Sequence, residues 1–189
     1  MRYVALLRGV NVGGNAKVEM ARLKVCFERL GLTSVATYIN SGNVVFETRA
    51  TARARLIGKI ERAIEGEFGF RVPLVLRTLD ELARVTKSVP RTWVTDQRMR
   101  CDVMFLWPDA DSRSVLRQVQ VQPQLEDLKY IPGALVWRID RADASKSKVG
   151  RVIGSDLYKA LTIRNINTVR KLESLLRARD QGTERARLS

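Results

Sequence analysis

Apolar residues fill every position of Tyr3–Leu7, which predicts a strand covered on both faces of a sheet. Met20, Leu23, Phe27 and Leu30 then recur at helical spacing and predict a helix that stops at Gly31. Val35–Ile39 and Val44–Glu47 are β-rich and flank Asn40-Ser41-Gly42-Asn43, a hairpin signal. Leu56, Ile57, Ile60, Ala63 and Ile64 form one stripe of a second helix, with Arg53, Arg55, Lys59 and Arg62 largely outside it. Arg71–Arg77 is another strand. The order strand, helix, strand, strand, helix, strand is the split βαβ, ferredoxin-like unit.

Thr78-Leu79-Asp80-Glu81 is a capping box opening a short helix, and Pro90-Arg91-Thr92-Trp93 reads as a connector. The pattern then restarts. Cys101–Trp107 is a strand, and Asp111 is expected to cap a helix bearing Val115, Leu116 and Val119. Leu128–Ile131 and Ala134–Ile139 make a second hairpin, whose Pro132-Gly133 favours a type II turn in a loop longer than two residues. Helix is expected from about Lys148 to Ala160, and a last helix carries Val169, Leu172, Leu175 and Leu176. The fold class is thus α+β: two ferredoxin-like subdomains with antiparallel sheets and C-terminal helices. Domain 1 covers 1–90 including the short helix, 91–99 is the connector, domain 2 covers 100–180, and 181–189 is a flexible tail.

The chain has 189 residues, 45% of them hydrophobic, enough for real cores. It contains no histidine, which removes the commonest general base and the commonest transition-metal ligand. Serine–histidine and cysteine–histidine catalysis within one chain are excluded on that ground. Cys26 and Cys101 are isolated, so neither a disulfide framework nor a zinc site is expected. No cofactor is expected. The short apolar N-terminal run is no signal peptide, and no stretch is long enough to span a bilayer, so the expectation is a cytoplasmic protein with no membrane association.

Charge changes the picture more. The formal net charge is +14, and residues 141–189 hold twelve basic against five acidic residues. A concentrated positive field attracts polyanions. The same arginines also suit the solvated backs of helices.

Three blocks carry a resemblance. They are Leu6-Leu7-Arg8-Gly9-Val10-Asn11-Val12-Gly13-Gly14, then Tyr38-Ile39-Asn40-Ser41-Gly42-Asn43-Val44-Val45-Phe46, then Thr162-Ile163-Arg164-Asn165-Ile166-Asn167-Thr168-Val169. Together they resemble the bacterial family known as domain of unknown function 1697, nearly from end to end. The resemblance implies two ferredoxin-like subdomains and supplies no activity, cofactor or catalytic residue. Glu19 stands where relatives often carry proline, and Ile166 where they often carry tryptophan.

The loop after the first strand has glycines that can turn amides toward an anion, a following helix start, and Lys17 as a point charge. Its spacing is neither a P-loop nor G-x-G-x-x-G. The alternative is a long turn that lets the next helix pack. Asn40 and Ser41 sit at a hairpin tip, where such residues serve the turn itself; the Asn side chains could also bond a ligand lodged by Arg8 and Asn11. Arg164 stands beside a helix start that Asn167 or Thr168 would cap, and a forked cation with free amides suits phosphate or carboxylate. Ser145-Lys146-Ser147-Lys148 is a second polar, basic cluster. The expected anion-binding group is Arg8, Asn11, Gly13, Gly14, Lys17, Asn40, Ser41, Ser147, Lys148, Arg164, Asn165 and Thr168, gathered from both ends of the chain. Among the tryptophans, Trp107 and Trp137 fall in strands, and Trp93 is the one placed to stack on a base.

Three functions follow: nucleic-acid binding through basic loops; an enzyme or sensor for a small phosphorylated or nucleotide-like ligand bound between the subdomains; and a homodimeric interaction module pairing through a sheet edge. The protein would be a monomer or a homodimer.

Overall fold

The computed structural model describes residues 1–12, 16–50, 52–152 and 154–185. The chain is α+β and divides into two compact units, 1–79 with 172–189 and 80–171. The division falls at Leu79, so the 91–99 segment lies inside the second unit.

Unit 1 contains β1 (Arg2–Leu7), α1 (Met20–Arg29), β2 (Thr33–Tyr38), β3 (Asn43–Glu47), α2 (Arg53–Phe68) and β4 (Leu74–Arg77). The sheet order is β2-β3-β1-β4 and every neighbouring pair is antiparallel. Alternation sends Tyr3, Ala5, Leu7, Val44, Phe46, Leu74 and Leu76 to the face that meets Leu23 and Phe27 of α1 and Leu56, Ile60 and Ile64 of α2. Phe27 meets Phe46 edge to face at 5.5 Å between centroids. The other face, with Val4, Leu6, Val45 and Val75, is buried as well. That is why the first strand reads apolar throughout. The edge strand β2 carries an irregularity between Thr33 and Ala36, with Ser34 at φ +52.

α3 (Leu79–Lys87) opens at the expected capping-box segment. Unit 2 then repeats the topology: β5 (Met99–Leu106), β6 (Glu126–Ile131), β7 (Ala134–Asp140) and β8 (Leu161–Asn165), in the order β6-β7-β5-β8 and antiparallel throughout. Between the strands the helices are reduced. The helix expected from Asp111 is two 3-10 turns, Pro108–Ala110 and Arg113–Gln118. Ser112 caps the second by accepting from the Ser114 amide, while the Asp111 carboxylate accepts from Tyr130 Oη at 2.9 Å and the Gly133 amide at 2.8 Å. The helix expected over 148–160 is a 3-10 turn at Val149–Val152 and one turn of α4 (Asp156–Lys159), because Gly150 and Gly154 interrupt it. The second hairpin closes in two residues, not more: Ile131 pairs with Ala134, and Gly133 takes φ +92 after Pro132.

β8 was not expected from the sequence, yet it completes the second sheet. α5 (Ile166–Arg185) follows it directly, so the helix runs into the segment expected to be a tail. Residues 186–189 of that tail lie outside the described residues. The α5 cap is Asn165, whose Oδ1 accepts from the Thr168 amide at 2.8 Å, rather than Asn167 or Thr168.

Candidate functional site

Five of the expected anion-binding residues, Arg8, Asn11, Lys17, Asn40 and Ser41, belong to unit 1. Ser147, Lys148, Arg164, Asn165 and Thr168 belong to unit 2. Gly13 and Gly14 lie outside the described residues.

In unit 1 the loop after β1 is pinned to the hairpin tip. Asn11 Nδ2 donates to the carbonyls of Val18 and Asn40, both at 2.8 Å, and its Oδ1 accepts from the Val18 amide at 2.8 Å. The Leu7 amide donates to the Gly42 carbonyl at 2.9 Å. Asn43, fully buried, donates to the Tyr38 carbonyl and to Ser41 Oγ. Asn11 therefore holds the two loops together, while Ser41 serves the hairpin itself. Backbone strain collects here: Asn11, Ala16 and Ile39 all take positive φ. Lys17 and Asn40 are exposed, as are the apolar Val12 and Ile39, and Arg8 is half-buried.

In unit 2 the Ser147–Lys148 segment wraps an anion of its own chain. Glu126, 2% exposed, accepts from Ser147 Oγ at 2.6 Å, Trp137 Nε1 at 2.9 Å, the Gln122 amide at 3.0 Å and the Lys148 amide at 3.3 Å. Burial alone would raise its pKa; those donors outweigh burial and hold it below the usual carboxylate value. The Lys148 side chain is on the surface. Arg164 is 7% exposed and donates to the Ile163 carbonyl at 2.7 Å and Thr162 Oγ1 at 3.0 Å. Burial pulls its pKa down to about 10, so it stays cationic at neutral pH. Arg77 occupies the matching place at the end of β4, 6% exposed and donating to the Leu76 carbonyl at 2.9 Å.

The 90–98 segment is an ordered loop. Arg170 donates Nη1 to the Trp93 carbonyl at 2.7 Å and Nη2 to the Pro90 carbonyl at 3.0 Å. Asn167 brackets Thr95, donating to its carbonyl at 2.7 Å and accepting from its amide at 3.3 Å. Asp96 accepts from the amides of Arg98 and Met99, both at 2.8 Å, and these bonds lower its pKa. The loop so fixed presents the half-buried indole of Trp93, with the Lys129 ammonium 4.9 Å above its ring. Arg91 and Arg98 are exposed on the same loop.

Sequence reasoning missed a second feature of unit 2. Arg100, Asp102, Met104, Trp137 and Ile163 line a slot with Val149, Gly150 and Val152. Its free volume is about 30 Å³. Asp102 and Arg100 are bonded at 2.7 Å, and burial raises the Asp102 pKa against the pull of that arginine. The signal was available in Arg100-Cys101-Asp102, two charges on one face of an otherwise apolar strand. Among the described residues no group of three or more Cys, Asp or Glu is placed to hold a metal ion. Among them, too, no helix is long and apolar enough to cross a membrane.

The family model "Protein of unknown function (DUF1697)" matches residues 1–137. No curated protein matches the chain. Among solved structures, the conserved bacterial protein SP0830 from Streptococcus pneumoniae is similar at 29% identity and a TM-score of 0.78, over 93% of this chain and 98% of that one.

Proposed function

We propose, for a chain that belongs to the DUF1697 family, that it binds single-stranded nucleic acid through the Trp93 loop of unit 2. The supporting observation is the pairing of the Trp93 indole with the Lys129 ammonium at 4.9 Å, on a loop tied down by Arg170 and Asn167. An aromatic face accepts any unpaired base, and neighbouring cations neutralise the phosphates. Arg91, Arg98 and Lys129 supply those cations, within a chain of net charge +14. Fixing the loop beforehand lowers the ordering cost of binding. Fluorescence anisotropy with labelled single-stranded DNA and RNA at 50 mM salt tests the reading. Micromolar binding is expected, weakening steeply toward 200 mM salt, and Trp93→Ala should cost about tenfold in affinity. No binding at 50 mM salt, or full retention by Trp93→Ala, overturns it.

A different observation favours a second reading, a small phosphorylated or nucleotide-like ligand at the unit 1 loops. Asn11 locks two loops of strained backbone together, and Lys17 and the Asn40 side chain of these loops are at the surface. A thermal-shift series with nucleotides and sugar phosphates separates the two, since Trp93→Ala would leave that response unchanged.

A further inference from the structure

The slot in unit 2 has a chemistry of its own. Its floor is the face of the sheet formed by Met104, Trp137 and Ile163, and its wall is the 3-10 turn carrying Val149, Gly150 and Val152. At its mouth the Arg100 guanidinium lies 5.1 Å from the centre of the Trp137 ring. Arg100 donates Nε to Asp102 Oδ2 at 2.7 Å, while its two Nη groups have no hydrogen-bond partner among the described residues. Trp137 is fixed in turn by its Nε1 bond to Glu126. The guanidinium is therefore held by stacking on one side and a carboxylate on another, with its outer fork left for a ligand. An oriented arginine fork matches a carboxylate in bidentate geometry. Asp102 beside it offsets one positive charge, which favours a monoanion over a dianionic phosphate. The remaining walls are apolar. A free volume of about 30 Å³ accommodates about two water-sized groups. That is too little for a nucleobase or a sugar and right for a short hydrocarbon tail.

We propose that this slot binds a short-chain aliphatic carboxylate, its head on the Arg100 fork and its tail against Trp137, Met104, Val152 and Ile163. Asp102 and Glu126 act as positioning residues, the first aligning the guanidinium and the second the indole on which it lies. This site is independent of the Trp93 loop.

Titration of the isotopically labelled full-length protein, followed at the Trp137 indole N–H and the Ile163 methyl resonances, tests the proposal. Butyrate should shift both saturably, more tightly than acetate, while 1-butanol, propylamine and inorganic phosphate should not. Arg100→Gln should weaken butyrate by about tenfold or more. Should that variant fold poorly, Arg100→Lys gives the same test: it keeps the positive charge beside Asp102 and removes the planar fork that a carboxylate would grip in bidentate fashion. Three results overturn the proposal. They are no saturable shift with butyrate, an equal response to 1-butanol, and an undiminished butyrate response in folded Arg100→Gln or Arg100→Lys.

Discussion

Ser147 donates its hydroxyl proton to the Glu126 carboxylate at 2.6 Å, so the basic loop after β7 is folded around an internal anion. Three further donors converge on the same carboxylate, and it is among the most buried charges of unit 2. Glu126→Ala should destabilise the chain by about 3 kcal/mol, because it leaves the Trp137 and Ser147 donors buried without their acceptor. The pKa of Glu126 is depressed in the folded state. Its contribution is therefore full above the ordinary carboxylate pKa and disappears as pH falls through the lower, folded value. Urea midpoints taken between pH 7 and pH 3 should fall less steeply in Glu126→Gln than in the parent chain.

Gly42 is fixed by contact as well as by conformation. A Cβ there would lie 2.5 Å from Val10 Cγ2 and 2.7 Å from Leu7 Cβ, at φ +67. Gly9 has a similar φ of +70 with nothing within 4 Å. Gly9→Ala should cost about 1 kcal/mol, the backbone part alone, and Gly42→Ala about 3 kcal/mol, backbone plus overlap. Chemical denaturation of the two variants compares them directly; equal losses would mean that the hairpin tip shifts to make room.

Unit 1 was legible because each element buries a regular set of positions: unbroken apolar runs in β1 and β3, helical spacing in α1 and α2. Unit 2 was less so. Leu161-Thr162-Ile163-Arg164-Asn165 is five residues long, carries a buried arginine, and runs into α5 without a turn, so its polar members read as a loop. The signal lay in a repeat: Leu76-Arg77-Thr78-Leu79 ends β4 and starts α3, as Ile163-Arg164-Asn165-Ile166 ends β8 and starts α5. The slot was hidden for another reason. Arg100, Trp137 and Gly150 meet only through the pairing of β5 with β7 and a 3-10 turn, neither of which leaves a local motif.

Ile39 takes φ +49 at the tip of the first hairpin while remaining 50% exposed. A β-branched residue in the left-handed region is strained by about 1–2 kcal/mol, and its partial burial returns little of that. Ile39→Asn should raise stability by about 1 kcal/mol, since asparagine tolerates this conformation. The melting temperature should rise by about 2–4 °C. Loss of a nucleotide response in the same variant would tie the strain to ligand binding at these loops.

Both thiols should be chemically silent in the native chain. Burial pushes the Cys101 pKa up to about 12, aided by the neighbouring Asp102 charge and opposed by Arg170 and Arg138. Burial, with Glu67, raises that of Cys26 against the pull of Arg29. The thiolate is the nucleophile, so at pH 8 roughly one Cys101 in 10⁴ is reactive even before access is considered. Mass spectrometry after iodoacetamide at pH 8 should find no adduct on the folded chain and two on the unfolded one. A folded pKa above the ordinary value of 9.0 means that the stabilisation is complete below about pH 9 and is lost as pH climbs toward 12. Cys101→Ala should therefore lessen the fall in stability between those limits, while at neutral pH it costs about 1 kcal/mol or more from the cavity left in the second sheet. An adduct on Cys101 before unfolding would show that the strands around it open locally, and would move the weakest point of unit 2 to β5.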